Sequence, residues 1–92
     1  MSNNSLEPLR QQIDTINVQI LKLLNERTEI VKLIGNEKEK LGLKIHDPVR
    51  EQQIIQKLCE TNQGPMTEEM VREIFGIIFK ASVHFQKLNN LK

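Results

Sequence analysis

The sequence has little of what covalent, metal or nucleotide chemistry requires. Its 92 residues include one cysteine, no tryptophan and no tyrosine, so an intrachain disulfide is impossible and few rings are available to stack on nucleic-acid bases. No histidines and cysteines are spaced as metal ligands, and no glycine-rich loop precedes a helix to hold a phosphate. We therefore expect no metal, no organic cofactor and no nucleic-acid partner.

An excess of charge of one sign and long apolar runs are also missing. The 13 lysines and arginines are nearly balanced by 12 aspartates and glutamates, which argues against a general electrostatic attraction to nucleic acid or membranes. The chain lacks the run of about 18 apolar residues that a membrane-spanning helix needs, and its amino terminus lacks the pattern of a secretory signal. We therefore expect a soluble, cytoplasmic protein that forms a single domain over residues 1–92.

The spacing of apolar residues predicts an all-α fold that starts with one very long helix. From Leu6 onward they recur in steps of three and four as far as Leu41, which is typical of the packed seam of a helix. We predict this helix over roughly residues 6–40, with Ser5 as its N-cap and Pro8 in its first turn. Gly35 is unfavourable inside a helix by about 1 kcal/mol relative to alanine, so we expect a neighbour that needs the space there.

Two shorter helices follow in the prediction. Asp47 as N-cap and Pro48 as the first helical residue start the second helix, which ends before Gly64. Thr67 caps the third helix, which runs to about Leu88. No alternation typical of a strand, no internal repeat and no low-complexity stretch is present.

The length of the first helix predicts an assembly. About 35 helical residues extend for about 50 Å, whereas a compact chain of this size has a radius of gyration of about 12 Å by the usual scaling. Much of the apolar seam would therefore face water in a single chain, and a second copy is the simplest cover. We expect an intertwined homodimer of three-helix protomers.

Two cations interrupt the regular pattern of the first helix. Arg27 occupies a seam position, and Lys38 lies eleven residues later, which places both on one face, about 20° and about 16 Å apart. Val31 and Ile34 lie between them, so this face would offer an apolar floor with a cation at each end, as a small dianion requires. Alternatively, Arg27 sets the register of packed helices and Lys38 is a solvated surface charge.

Polar residues also lie where the other two helices should be apolar. Arg50 and Glu51 extend the buried stripe of the second helix, beside Asp47, and Ser82 and Gln86 continue that of the third. Each has a simpler explanation: surface charges of a first turn, a helix cap, or a hydrogen-bonded pair in the core. A shared polar pocket explains all of them together.

Arg10 cannot join this pocket from its own chain. It precedes Arg27 by seventeen residues, or about 25 Å along a helix. In an antiparallel dimer the start of one long helix lies near the middle or far end of its partner. Arg10 could then complete the pocket of the other protomer.

With these residues in place, the chain resembles the all-helical class of chorismate mutase. The resemblance covers nearly the whole sequence, and charged and amide residues match on all three helices in order. It is carried by the segments LRQQIDTINVQILKLLNER, GNEK, DPVRE and IFKASVHFQ. It implies an entwined dimer with two buried active sites that convert chorismate to prephenate in phenylalanine and tyrosine biosynthesis, without a cofactor.

The resemblance also implies a role for each polar residue. Arg10 would come from the partner chain, Arg27 would bind a substrate carboxylate, and Lys38 would hold the other carboxylate region and the ether oxygen. Gln86 would donate a hydrogen bond to the ether oxygen. The remaining residues would be binding contacts: Asp47 and Glu51 on the side of the ring hydroxyl, Arg50 in support of the polar end, and Ser82 as an auxiliary contact.

Within the class, the sequence looks closest to the mutase domain at the amino terminus of a bifunctional DAHP synthase of Gram-positive bacteria. The segments GPM, IFKAS and HDPVRE carry this finer resemblance. It leaves open a second function, that of a regulatory domain that binds chorismate or prephenate for a fused or associated synthase. An isochorismate-pyruvate lyase and a helical dimerisation module without a ligand are further alternatives.

Overall fold

The computed structural model describes the backbone of residues 3–91 and the side chains from residue 5 onward. It contains three helices, α1 (Asn3–Leu41), α2 (Pro48–Thr61) and α3 (Glu68–Asn90), and no strand among the described residues. The predicted all-α, three-helix architecture with a very long first helix is confirmed. By its internal contacts the chain forms two compact units, one ending at Ile30 and the other beginning at Val31.

In the first unit, α1 leaves its apolar seam uncovered. Among the described side chains of residues 5–30, none is buried, and only Leu24, Arg27 and Thr28 are even half-buried. The large apolar residues exposed along the predicted seam are Leu6, Leu9, Ile13, Ile16, Ile20 and Leu23. The 3.6-residue periodicity of this segment is therefore not explained by packing within the unit.

The predicted start of α1 is wrong by one turn. The helix begins at Asn3, so Ser5 lies inside it rather than at the N-cap, and Pro8 is the sixth helical residue rather than part of the first turn. Proline keeps a helical φ angle, but inside a helix it removes the hydrogen bond from its own nitrogen and its ring crowds the carbonyl four residues earlier. Because this lost bond lies close to the end of the helix, the helix extends past Pro8 toward the amino terminus.

The second unit has a core contributed by the end of α1 and by both shorter helices. Its buried apolar side chains are Val31 from α1, Ile55 from α2, and Val71 and Phe79 from α3. α2 and α3 pack against each other, and the rings of Phe75 and Phe79 meet at 6.2 Å with a tilt of 56°. These contacts hold the polar residues of the three segments in one unit.

Local capping fixes the helix ends in this unit. The Asp47 side chain accepts a hydrogen bond from the Arg50 amide, and Thr67 does the same for Met70, which confirms both predicted N-caps. α1 ends at Leu41, and the next residue, Gly42, has a φ angle of 70° that is accessible to glycine at little cost. α3 extends to Asn90, slightly beyond the predicted end.

No helix of the described chain is long and apolar enough to cross a membrane.

Candidate active site

Gln86 is the buried polar side chain of the second unit. Its residue is 6% exposed, and its amide nitrogen Nε2 donates a hydrogen bond to the Val31 carbonyl at 3.2 Å. A buried amide needs such a partner, because an unsatisfied polar group in the interior is unfavourable by about 1 to 3 kcal/mol. This bond ties the side chain of α3 to the backbone of α1 and fixes the direction of the amide.

Gly35 provides the space in which Gln86 lies. A Cβ atom at this position would be 3.2 Å from Cγ of Gln86 and 3.6 Å from its Cβ and Cδ. The expectation that a neighbour needs the space at Gly35 is therefore confirmed. Asn36, the next residue of α1, accepts a second hydrogen bond from α3, from the Asn89 side chain at 3.2 Å, so α1 and α3 are joined at two neighbouring positions.

Lys38 follows on the same helix and reaches the loop before α2. Its Nζ atom donates to the Ile45 carbonyl at 2.8 Å, and the residue is half-buried. An ammonium group has three hydrogens, so this bond leaves two for other acceptors. Val31 and Lys38 are seven residues apart, which places them about 20° apart around the helix. The bond partner of Gln86 and the side chain of Lys38 therefore share one face of α1.

At the start of α2, Asp47 and Arg50 are exposed and Glu51 is half-buried. Asp47 accepts from the Arg50 amide at 3.1 Å, and the Arg50 residue itself is exposed, so it does not extend the buried stripe of α2 as predicted. Glu51 does continue that stripe, with its side chain 27% exposed, and its Oε2 atom lies 3.4 Å from Nε2 of His46. The long, charged arginine side chain favours solvent when no anion is within reach.

Ser82 is half-buried on α3, one turn before Gln86. Its hydroxyl donates to the Ile78 carbonyl of its own helix at 2.9 Å, and Gln86 donates to α1. The Ser82 hydroxyl and the Gln86 amide therefore both donate to backbone carbonyls. In the alternative explanation, these two donors would bond the two side chains to each other. Bonding to the preceding turn is the usual way for a serine inside a helix to satisfy its hydroxyl.

Arg10 and Arg27 belong to the first unit. Arg10 is exposed, whereas Arg27 is half-buried. Burial lowers the pKa of the Arg27 guanidinium from its ordinary value. Arginine stays protonated under working conditions despite such a shift, so Arg27 is a permanent cation at a partly desolvated seam position.

A cleft of about 390 Å³ opens in the second unit beside Glu51. Its lining residues are His46, Glu51, Gly76, Phe79, Lys80, Val83 and Lys87. Of the predicted site residues, it includes Glu51. His46, five residues before Glu51 in the sequence, lines the same cleft.

The predicted site residues of the second unit comprise four with hydrogen-bond donors, Lys38, Arg50, Ser82 and Gln86, and two acids, Asp47 and Glu51. Among the described residues, no three histidine, cysteine, aspartate or glutamate side chains group together as metal ligands. An ammonium group and a buried amide suit the binding of oxygen atoms that carry or gain negative charge. The unit thus has the chemistry of an anion-binding site with fixed donors.

Comparison with known proteins assigns this arrangement to a family. Residues 9–87 match the family described as chorismate mutase type II. The chain belongs to the chorismate mutase type II family. The predicted function of a chorismate mutase, its class as an isomerase and the resemblance to the all-helical class are confirmed by this membership.

Individual relatives agree with this membership. The chain is 36% identical to a chorismate mutase of Methanocaldococcus jannaschii, over 89% of this chain and 84% of the relative. A chorismate mutase (Form II) structure from Thermus thermophilus superposes with a TM-score of 0.86 at 39% identity, covering 89% of this chain and 93% of that one. A Helicobacter pylori chorismate mutase in complex with prephenate gives 0.89 at 30% identity, covering 95% and 94%.

Other relatives are much longer than this chain. It is 38% identical to the bifunctional chorismate mutase/prephenate dehydratase of Aquifex aeolicus, and the match covers 89% of this chain but 24% of that protein. This relative joins a chorismate mutase to a prephenate dehydratase, so it does not test the finer resemblance to a DAHP synthase fusion.

Proposed function

We propose that this chain converts chorismate to prephenate in a pocket built from residues of all three helices. The observation that carries the proposal is the buried amide of Gln86, held by the Val31 carbonyl at 3.2 Å. The proposed catalytic residues are Arg27, Lys38 and Gln86; the proposed binding contacts are Asp47, Arg50, Glu51, Ser82 and, from a partner chain, Arg10. The chain is proposed to act as one domain over residues 1–92.

The reaction is an intramolecular rearrangement in which a C–O bond breaks while a C–C bond forms, so no nucleophile is needed. Catalysis requires a reactive, folded substrate conformer and stabilisation of the negative charge that grows on the ether oxygen. An acceleration of about a millionfold corresponds to about 8 kcal/mol, and one fixed donor of this kind contributes about 3 to 4 kcal/mol. Two donors plus conformational restriction are sufficient.

The two donors to the ether oxygen are Gln86 and Lys38. The amide nitrogen of Gln86 has two hydrogens, and its bond to Val31 leaves one for the substrate. Lys38 has two hydrogens beyond its bond to Ile45. Because both groups already bond to backbone carbonyls, they are oriented before the substrate arrives, and the reaction does not require them to reorganise.

Arg27 is the proposed partner of a substrate carboxylate. A guanidinium group is planar and binds a carboxylate through two parallel hydrogen bonds. Support for this role comes from the partial burial of Arg27 at a seam position of the first unit. Removal of water from a cation strengthens its attraction to an anion.

We further propose that the working protein is a homodimer. The apolar seam of α1 is exposed throughout the first unit, for example at Leu9, Ile13 and Ile16, and a second copy offers a matching apolar surface. In an antiparallel arrangement the exposed Arg10 would reach the pocket of the partner. Each site would then be incomplete in an isolated chain, and activity would depend on association.

The first experiment measures the loss of chorismate by the purified 92-residue chain, with prephenate identified as the product, beside Arg27→Ala. We expect turnover in the unmodified chain and a loss of at least about a hundredfold in the variant, because a carboxylate contact also orients the substrate. Pyruvate released from isochorismate, with no prephenate from chorismate, would instead indicate the lyase.

The donors are tested by Lys38→Ala and Gln86→Ala. Each should lower turnover by at least about a hundredfold while the protein stays folded and associated. Near-normal turnover in folded Lys38→Ala would contradict the role of that residue. Because an amide donates without being protonated, turnover should persist through neutral pH, and its collapse above about pH 6 would contradict the role of Gln86.

A regulatory role is the second candidate. The chain spans 24% and 19% of the bifunctional chorismate mutase/prephenate dehydratases of Aquifex aeolicus and Neisseria gonorrhoeae, so a domain of this family can be joined to another enzyme. In this role it would bind chorismate or prephenate and control a fused or associated enzyme. Tight chorismate binding with negligible turnover would favour it. The DAHP synthase remains the proposed partner on the segments GPM, IFKAS and HDPVRE, and the cytoplasm remains the proposed location.

A further inference from the structure

His46 and Glu51 form a contact to which the proposed reaction has not yet assigned a purpose. Nε2 of His46 lies 3.4 Å from Oε2 of Glu51, with the imidazole 60% exposed and the carboxylate 27% exposed. His46 is the last residue before the N-cap Asp47, and Glu51 lies one turn into α2. The pair therefore spans the start of the helix.

The distance makes this contact depend on charge. A good N–H···O hydrogen bond measures about 2.9 to 3.0 Å, so at 3.4 Å the neutral contact is weak, and it becomes an ion pair when the imidazole is protonated. The amino-terminal end of α2 also favours negative charge at Glu51. Histidine is the side chain best suited to such a change of charge, so the contact is stronger when the imidazole carries its second proton.

The backbone that carries His46 is held in place by the proposed active site. Lys38 donates to the carbonyl of Ile45, the residue directly before His46. On the other side, the Asp47 side chain bonds to the Arg50 amide. The backbone at His46 is therefore held on both sides. Little conformational entropy is lost when its imidazole contacts Glu51.

The charged groups around the pair come from every element that lines the same cleft. α3 contributes Lys80 and Lys87, α2 contributes Glu51, and the loop contributes His46. Asp47 lies next to His46 in the chain. The two lysines bring positive charge to the same cleft as Glu51. Phe79 and Val83 provide its apolar surface.

We propose that His46 is a positioning residue that orients the Glu51 carboxylate for the substrate. The imidazolium holds Oε2, which leaves Oε1 to accept a hydrogen bond from the ring hydroxyl of chorismate. Loss of the imidazole proton releases the carboxylate and weakens substrate binding, while the donors to the ether oxygen are unaffected. This inference rests on the proposed function, because it assigns Glu51 to the substrate.

The test compares KM and kcat for chorismate between about pH 5.5 and pH 8.5 in four proteins. They are the unmodified chain, His46→Gln, His46→Arg, and His84→Gln as the control for the other, exposed histidine. In the unmodified chain and the control, KM should rise about two- to fivefold as the pH rises, which is the size expected for a largely exposed ion pair. kcat should stay constant.

The two substitutions at His46 should remove this dependence in opposite ways. His46→Gln should give a KM that is high at every pH, and His46→Arg, which keeps a cation, should give a KM that is low at every pH. In a Glu51→Gln background, His46→Gln should have no further effect on KM. A merely structural role of His46 would not produce this pattern, because it would not be rescued by a permanent charge.

Three results would overturn the inference. They are a pH-dependent KM that persists in His46→Gln, an equal KM profile in His46→Gln and His46→Arg, and an undiminished effect of His46→Gln without the Glu51 carboxylate. In each of these cases turnover continues and the proposed function stands. Absence of prephenate formation by the unmodified chain at every pH is a different failure, and it would overturn the proposed function and this inference together.

Discussion

Residues 3–30 and residues 31–91 have similar apolar periodicity but differ in how that periodicity is used. In the second segment the apolar residues meet within one chain and bury Val31, Ile55, Val71 and Phe79. In the first, no described side chain from residue 5 onward is buried. Periodicity therefore identifies the face of a helix that is to be covered, but it does not identify the chain that covers it.

The same difference applies to the polar residues that interrupt the two seams. Gln86 interrupts the seam of α3 and has a partner within its own unit, the Val31 carbonyl. Arg27 interrupts the seam of α1 in the segment whose apolar residues are exposed. Gln86 is therefore explained by a bond within its own unit, whereas Arg27 lies in the seam on which a second chain is proposed to pack.

The largest expected effect is that of Phe79→Ala, which tests the core of residues 31–91. The substitution removes a buried ring that contacts Phe75, and such losses are unfavourable by about 3 to 5 kcal/mol. Urea unfolding followed by circular dichroism at two protein concentrations measures it. The loss should be the same at both concentrations because Phe79 is covered within its own chain; a loss that depends on concentration would place its cover in a partner.

The next effect concerns residues 3–30 and is tested by Ile13→Asp. A charge on the seam should raise the dissociation constant of the dimer tenfold or more, because burial of one such side chain contributes about 1.5 to 3 kcal/mol. Sedimentation over a range of protein concentrations measures association, and activity should fall in parallel at low concentration.

Val18→Asp is the matched control for Ile13→Asp. Val18 is 69% exposed and Ile13 is 56% exposed, but they lie about 140° apart around the helix, so Val18 is outside the seam. Equal weakening of association by both substitutions would show that the predicted seam is not the interface. An unmodified chain that is monomeric at all concentrations would contradict the dimer itself.

The parts of the fold that were predictable from the sequence are those fixed by neighbouring residues. Asp47 with Pro48, and Thr67, specify their helix starts because a cap bonds to an amide three residues later. Ser5 has the same chemistry but lies inside α1, since a serine is also tolerated in a first turn. Local patterns thus predict that a helix starts nearby, with an uncertainty of about one turn.

The sequence predicts a set of candidate site residues but not the bonds that those residues make. The need for space at Gly35 follows from the low helix propensity of glycine, yet its neighbour Gln86 is far away in sequence. The bonds from Gln86 to Val31 and from Lys38 to Ile45 use backbone carbonyls, which every residue has, so side-chain patterns carry no signal for them. The exposure of Arg50 was not predicted, because its place in the apolar pattern does not account for the preference of a charged side chain for water.

A smaller effect separates the capping role of Asp47 from its proposed contact with substrate. Asp47→Ala and Thr67→Ala each remove an N-cap bond of 3.1 Å in the second unit, and each should destabilise the protein by about 1 kcal/mol. Only Asp47→Ala should also raise KM for chorismate. Unfolding by urea and steady-state kinetics measure the two quantities. Equal stability losses with unchanged KM in both variants would reduce Asp47 to a helix cap.

The smallest expected effect compares two glycines inside helices, Gly35 and Gly76. Alanine is favoured over glycine in a helix by about 1 kcal/mol, and a Cβ at Gly76 meets no atom within 4 Å, so Gly76→Ala should gain this amount. At Gly35 the new Cβ lies 3.2 Å from Cγ of Gln86, so Gly35→Ala should gain less and should also lower turnover severalfold by displacing the amide. Urea unfolding of both variants and the kcat of Gly35→Ala test this. Equal stabilisation with full turnover would mean that Gln86 moves aside at no cost, and the close approach at Gly35 would then not be what fixes the amide.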